Sequence, residues 1–293
     1  MIFWDKLSSL LATGLSLRTI SSIIDGSRSE EELEEKLLQH GEKYFFRYRT
    51  IADYYSLVKS GQQKLPIIII VSGIPGVGKT TIAKELSAAL NIGIVLGGDA
   101  LRSSLRTILP REGNEAFFTS VYNTWKIFGE KRKATIIKGY QAQSLIMNKA
   151  VQRVITDRGL RDGESMIVEY LHFHPSQFDK NILTHPSIIP LLLVITDLTK
   201  YNERIIKREY FSHLRSAGDR LLAQQEQYLI IQEYIEKDAC RFNLPVINVN
   251  NLEAAFDDVL SIIIQRISEL NKRKNINTKI NLLEAIKKER DDQ

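Results

Sequence analysis

The sequence predicts an α/β fold of three layers, with a five-stranded, mostly parallel sheet between helices. Three observations predict it. Residues 66–72 (PIIIIVS) form an unbroken, largely β-branched run, the pattern of a strand buried on both faces. Further short apolar runs at 92–96, 165–168, 189–196 and 245–249 are separated by stretches with helical spacing. Strand and helix alternate in that order, which yields parallel strands joined by crossover helices.

Taken from the start, residues 1–62 read as a helical N-terminal extension. Leu7, Leu10, Leu11 and Leu15 keep a helical spacing, as do Leu33, Leu37 and Leu38. Glu30, Glu31 and Glu32 fall in a first turn, where the helix dipole favours acids. The stretch from Gly61 to Pro66 breaks the pattern. Residues 63–271 then form the second unit, with helices expected at 80–90, 99–109, 115–163, about 199–243 and 252–271. Residues 272–293 are a charged tail with no function assigned.

Bulk composition narrows the function classes. The 293 residues are 43% apolar and 26% charged, the balance of a globular protein. A net charge of +5 suits an anionic ligand. No basic patch is interleaved with aromatic residues, which disfavours nucleic acid as a partner. Cys240 is the only cysteine, so no disulfide within the chain and no thiolate metal cluster is expected, which fits a reducing, cytoplasmic setting. No apolar run reaches the roughly 18 residues that span a bilayer, and Met1-Ile-Phe-Trp-Asp-Lys does not read as a signal peptide.

The chemistry begins where the first strand ends. Gly73-Ile-Pro-Gly-Val-Gly-Lys79-Thr80 matches G-x-x-x-x-G-K-[ST] in full, between a buried strand and an amphipathic helix. This is a phosphate-binding P-loop, and the fold class sharpens to a P-loop NTPase sandwich that binds ATP. Glycines let the main chain wrap a phosphate closely. The N–H groups of Gly76, Val77, Gly78 and Lys79 are expected to face the β-phosphate, with Gly73 opening the turn and Thr81 continuing it into the helix. Lys79 is expected to bridge the β- and γ-phosphates, and the Thr80 hydroxyl to ligate Mg²⁺. Met166-Ile-Val-Glu169 ends a strand in an acid, so Glu169 is the carboxylate expected to support the metal, with Asp197 as a weaker competitor.

An acceptor side follows. Gly97-Gly98-Asp99-Ala-Leu-Arg102-Ser-Ser-Leu-Arg106 comes straight after the second strand, and α/β sheets bind ligands at the carboxyl ends of their strands. Asp99 is positioned to accept or orient the proton of an attacking hydroxyl, or else to cap its helix. Arg102 and Arg106, four apart, share a helix face and make a fork for phosphate or carboxylate. His172 lies just beyond Glu169 and reads as an acceptor contact or as a packing residue, and His174 alternates with it. The basic stretch at 199–222 reads as a helical lid, with Arg204 and Arg208 placed to neutralise a transferring phosphoryl group.

Together with the P-loop, several of these segments resemble the archaeal 2-phosphoglycerate kinases. They include Ile94-Val-Leu-Gly-Gly-Asp99-Ala-Leu-Arg102, Ser120-Val-Tyr-Asn-Thr-Trp125-Lys, Gly139-Tyr-Gln-Ala-Gln143 and Glu169-Tyr-Leu-His172. The run 225–239 and Leu244-Pro-Val-Ile247 belong to the same similarity, which covers about residues 65–265. The resemblance implies a nucleoside-monophosphate-kinase-like fold using ATP and Mg²⁺, with phosphoryl transfer to 2-phosphoglycerate giving 2,3-bisphosphoglycerate. By position, Lys79 and Thr80 would serve ATP, Asp99 and Arg102 the acceptor, and Glu169 and His172 the family's strand-three element. Where that family usually has glycine after the glutamate, this chain has Tyr170. Other readings are a P-loop kinase for a nucleoside, a nucleic-acid end or an aminoacyl-tRNA, and a non-catalytic nucleotide-binding regulator. An AAA+ motor is disfavoured, because no second helical domain with a sensor arginine is evident.

Overall fold

The computed structural model describes residues 6–211 and 218–273, and side chains within these except at 208–211 and 218–219. Most of the expected tail and part of the expected lid lie outside the described residues.

The chain begins with α1 (Leu7–Leu11), α2 (Leu17–Asp25), α3 (Glu30–His40) and α4 (Glu42–Lys59). Then come β1 (Ile68–Ser72), α5 (Lys79–Ala89), β2 (Ile94–Gly97) and α6 (Gly98–Ile108). The short helices α7 (Glu115–Phe118) and α8 (Trp125–Phe128) precede the long α9 (Lys133–Val154). Next are β3 (Met166–Tyr170), α10 (Lys180–Leu183), β4 (Ile188–Val194), α11 (Leu198–Phe211) and α12 (Gly218–Leu222). The described chain closes with α13 (Gln225–Arg241), β5 (Val246–Asn248) and α14 (Leu252–Lys272).

The five strands form one sheet in the order β2-β3-β1-β4-β5, and every pairing is parallel. β1 is fully buried and feeds two cores at once. Ile67, Ile69 and Val71 pack on one face with α5, α13 and α14, while Ile68 and Ile70 pack on the other with Met147 and Val151 of α9. A strand that must satisfy both faces carries no polar alternation, which is why its sequence reads as an unbroken apolar run.

The expected long helix at 115–163 is interrupted. Between α7 and α9 the chain makes a 3₁₀ turn at Val121–Asn123, then α8, and at Gly129 φ is +125°. Gly129 ends α8 in a conformation that few residues other than glycine adopt. The break matters because Ser120, Val121 and Tyr122, which fall within it, border the cleft described below.

The N-terminal helices hold a small core of their own, with Leu10, Ile20, Ile23, Leu33, Leu37 and Tyr48. Ser16 caps α2 and Ser29 caps α3. They dock on the sheet domain through α4 and α14. Arg47 of α4 is 2% exposed and donates to Asp257 Oδ1 at 2.8 Å, the Asp257 carbonyl at 3.0 Å, Ser261 Oγ at 2.6 Å and the Thr13 carbonyl at 2.9 Å. Among the described residues no helix is long and apolar enough to cross a membrane.

Each bond that Arg47 makes is charge-assisted, so its removal strands several acceptors at once. Arg47→Met is expected to lower unfolding free energy by about 2–3 kcal/mol in urea titration. A loss within ~0.5 kcal/mol would show that apolar contact alone docks the extension.

Candidate active site

The register of the sheet brings the predicted elements to one edge. Glu169 on β3 lies opposite Val71 on β1 and Gly97 on β2. The loop after β1, the acid ending β3 and the first turn of α6 therefore meet at the carboxyl ends of three adjacent strands.

The loop of residues 73–78 needs its glycines. Gly73 has φ +147°, and a Cβ there would lie 2.5 Å from the Leu193 carbonyl oxygen of β4. No side chain fits at that spacing, so the chain can turn tightly over β4 only with glycine. Lys79 opens α5 and its Nζ donates to the Ile74 carbonyl at 3.0 Å, crossing the loop. The Thr80 hydroxyl donates to Glu169 Oε1 at 3.3 Å. The two residues predicted to share a metal are thus adjacent. Val77 places its side chain in the core, leaving only its main chain for the loop.

α6 is pressed onto β3. A Cβ on Gly98 would fall 2.2 Å from Tyr170 Cβ, so the first turn of α6 can approach only without a side chain. Tyr170 itself is buried. Its ring packs edge-on against Phe173 and its hydroxyl donates to Asn148 Oδ1 at 2.9 Å. Asp99 stands in the first turn of α6 and makes no cap bond, since the N-cap is Gly97.

Arg102 and Arg106 converge on one stretch of main chain. Arg102 Nη2 donates to the carbonyls of Phe117 at 2.9 Å and Thr119 at 2.5 Å, and Arg106 donates to the Phe117 carbonyl through Nε at 3.0 Å and Nη2 at 2.8 Å. Arg102 Nε is buried without a partner. Burial, then the neighbouring charge of Arg106, lowers the Arg102 pKa to about 10, with Asp99 opposing. It remains a cation at neutral pH.

His172 is 3% exposed. Its Nε2 lies 2.9 Å from Gln143 Oε1 and its ring stacks on Tyr140. Burial, followed by the charges of Arg102, Lys79 and Arg106, holds its pKa well below the usual histidine value, so the ring is neutral. His174 is a packing residue, with Nδ1 2.8 Å from Asp238 and Nε2 2.8 Å from the Tyr234 hydroxyl.

These residues border a cleft of about 680 Å³. Of the residues singled out in the sequence, Gly76, Gly78, Lys79, Thr80, Thr81, Asp99, Arg102, Glu169, His172 and Arg204 line it. Arg106 does not, since it is spent on the Phe117 carbonyl. Gly73 and Val77 shape the loop from behind. Arg204 on α11 donates Nη2 to the carbonyls of Val249 at 2.5 Å and Asn250 at 3.1 Å, and its Nη1 is buried without a partner. Arg208 is on α11, but its side chain lies outside the described residues.

Lys207 and Arg220 belong to the basic stretch read as a lid, whereas four lining residues had no assigned role in the sequence reading: Lys84, Ser120, Tyr122 and Tyr228. Lys84 was findable, being four residues after Thr80 on the same helix face. Tyr122 and Tyr228 come from separate segments that touch edge-on at 5.9 Å, a contact no local pattern predicts. In all, Lys79, Lys84, Arg102, Arg204, Lys207 and Arg220 set six cations against the two carboxylates of Asp99 and Glu169. Positive charge concentrated on low-dielectric walls draws polyanions. The cleft can hold a nucleoside triphosphate on the loop and a second anion beside Arg102.

Several known proteins are similar to this chain in sequence. A family model described as "AAA domain" matches residues 69–229. The mevalonate-3-phosphate 5-kinase of Thermoplasma acidophilum is 35% identical over 167 residues, 57% of this chain and 80% of that protein. The 2-phosphoglycerate kinase of Methanopyrus kandleri is 29% identical over 220 residues, 74% of this chain and 67% of that protein. That of Pyrococcus horikoshii is 28% identical over 294 residues, 93% of this chain and 95% of that protein.

Gly73→Ala tests the loop directly. The added methyl is expected to cost about 1–3 kcal/mol of stability through strain and to weaken ATP binding by more than tenfold in titration calorimetry, about 1.4 kcal/mol. Unchanged affinity would mean that the loop is not the nucleotide site.

Proposed function

The chain belongs to the AAA-domain family through residues 69–229 and is related to archaeal 2-phosphoglycerate kinases, and from that premise we propose that it is an ATP-dependent kinase of a small phosphorylated acid. Fold alone does not fix an activity. The observation that carries this one is the charge of the cleft, six cations against two carboxylates opening onto a P-loop. A triphosphate occupies part of that charge. An uncharged acceptor would leave Arg102 desolvated with nothing to neutralise, whereas a phosphorylated acid supplies two anionic groups.

Each residue has a task in this reading. Lys79 exchanges the Ile74 carbonyl for a phosphate oxygen, and the N–H groups of residues 76–79 receive the β-phosphate. Thr80 and Glu169 would hold Mg²⁺, which when bound supplies charge neutralisation on the phosphate oxygens. Arg204, Lys207 and Arg220 come from the lid side and neutralise charge as the phosphoryl group moves. Arg102 binds the acceptor's anionic end. Asp99 lies close enough to Arg102 and Arg106 to favour their charged forms.

The first acceptor is 2-phosphoglycerate, phosphorylated on its 3-hydroxyl to 2,3-bisphosphoglycerate. The breadth of the Pyrococcus similarity supports it. A second acceptor, mevalonate 3-phosphate, shares the same groups: a phosphate ester, a carboxylate and a primary hydroxyl. It is favoured by the higher identity to the Thermoplasma enzyme and by Val121, Tyr122, Leu171 and Tyr228 in the lining, which suit a branched carbon chain.

Release of ADP from ATP and Mg²⁺ should appear with one or both acids and stay at background with nucleosides or RNA. Lys79→Ala should reduce it by about 10²–10³-fold. Turnover with a nucleoside or RNA alone overturns the acceptor class. Arg102→Ala should raise the acceptor KM more than tenfold, about 1.4 kcal/mol, with little change in the KM for ATP. An unchanged acceptor KM removes Arg102 from the site.

A further inference from the structure

Arg102 and Lys79 account for anions in the cleft, but the acceptor must also present a hydroxyl. A hydroxyl that attacks phosphorus needs a hydrogen-bond acceptor to fix its direction. His172 is built for that task by its surroundings.

The protonation of its ring follows from Gln143. The side chain of Gln143 is fully buried, and its Nε2 donates to the carbonyls of Ala116 at 2.5 Å and Thr119 at 2.6 Å. Only an amide NH₂ can serve two carbonyl oxygens, so the other end of the amide is the oxygen. That oxygen faces His172 Nε2 at 2.9 Å and accepts a hydrogen bond. Nε2 therefore carries the ring proton, and Nδ1 keeps its lone pair. His172 lines the cleft, and with Nε2 committed to Gln143 the only polar function the ring has left to offer is the Nδ1 lone pair.

We propose that His172 Nδ1 accepts the hydrogen bond of the substrate hydroxyl that receives the phosphoryl group, and that Gln143 is the positioning residue that fixes this tautomer. The inference rests on the kinase reading above and names the partner of the hydroxyl within it, a role that the sequence alone suggests for Asp99. A lone pair on Nδ1 repels phosphate and carboxylate and favours a donor. It therefore sorts the hydroxyl end of the acceptor from its anionic end, which Arg102 takes. His172 orients the hydroxyl; a ring so near Arg102 and Lys79 is a poor place to leave a second proton.

The ring is anchored against rotation. It stacks on Tyr140, whose hydroxyl donates to the Phe173 carbonyl at 3.0 Å and which stacks on its other partner His174. The same carbonyl of Thr119 that receives Gln143 also receives Arg102. One stretch of main chain thus sets both the anion contact and the hydroxyl contact.

Two amide substitutions separate this role from packing. Asparagine places its amide near the position of Nδ1, whereas glutamine places it near Nε2. On this proposal His172→Asn keeps acceptor turnover within about tenfold of the parent, and His172→Gln loses at least a hundredfold in kcat with ATP affinity unchanged. The reverse order, with His172→Gln active and His172→Asn inactive, would mean that only the bond to Gln143 matters, and the proposal fails. Nitrogen NMR of the histidine-labelled full chain gives a reading that needs no turnover, with His172→Asn identifying the signal. Expected are a neutral ring protonated on Nε2 and a shift of Nδ1 when the phosphorylated acid is added with a non-hydrolysable ATP analogue. A ring protonated on Nδ1, or an Nδ1 signal that no acceptor moves, overturns the proposal. Turnover by the parent chain reports on the kinase reading separately.

Discussion

The register of β3 against its two neighbours is the constraint on which the cleft depends. Placing Glu169 opposite both Val71 and Gly97 puts the P-loop, the acid and the first turn of α6 within reach of one another. A shift of one residue would turn Glu169 toward the opposite core and Tyr170 toward Thr80, because side chains alternate along a strand. The register is held by burial on both faces. Met166, Val168 and Tyr170 belong to one core and Ile167 to the other, so no slipped pairing keeps both filled.

Around that frame the cleft is assembled by carbonyl groups that would otherwise be orphaned. The break between α7 and α9 leaves the carbonyls of Phe117 and Thr119 without helical partners, while that of Ala116 keeps only the Thr119 N–H at 3.2 Å. Arg102, Arg106 and Gln143 supply them. Buried polar groups need partners, and here the partners are residues of the cleft wall. Stability and site geometry are consequently the same set of bonds. Arg106 illustrates the cost to function: it shares a helix face with Arg102, yet it is consumed in holding the loop.

Charge is distributed with the same economy. The chain carries a net +5, and the cleft alone places six cations against two carboxylates. The cleft is thus markedly positive among the described residues, a setting that favours anionic ligands. Arg47 and Asp257 tie the N-terminal helices to α14, and neither of them lines the cleft. That contact is structural, and its partners are main-chain carbonyls, a hydroxyl and one carboxylate.

What the sequence by itself determined was local, although the local break at Val121–Gly129 was read as continuous helix. The buried strand is written in consecutive isoleucines, the loop in glycines at fixed spacing, and the helix starts in serine caps. All five strands were legible, because each is a short apolar run between breakers. Lys79, Thr80, Asp99, Arg102, Glu169 and His172 were legible as neighbours in one cleft, because each lies near the carboxyl end of a strand. Tertiary structure decided what those residues touch. That Thr80 meets Glu169, that Gln143 sets the tautomer of His172, and that Arg106 is turned away from the cleft are contacts between segments far apart in the chain. So are the additions of Tyr122 and Tyr228 to the lining. The physical reason is that periodicity fixes which face of an element a residue occupies, whereas packing and the demand of every buried carbonyl for a donor fix its partner.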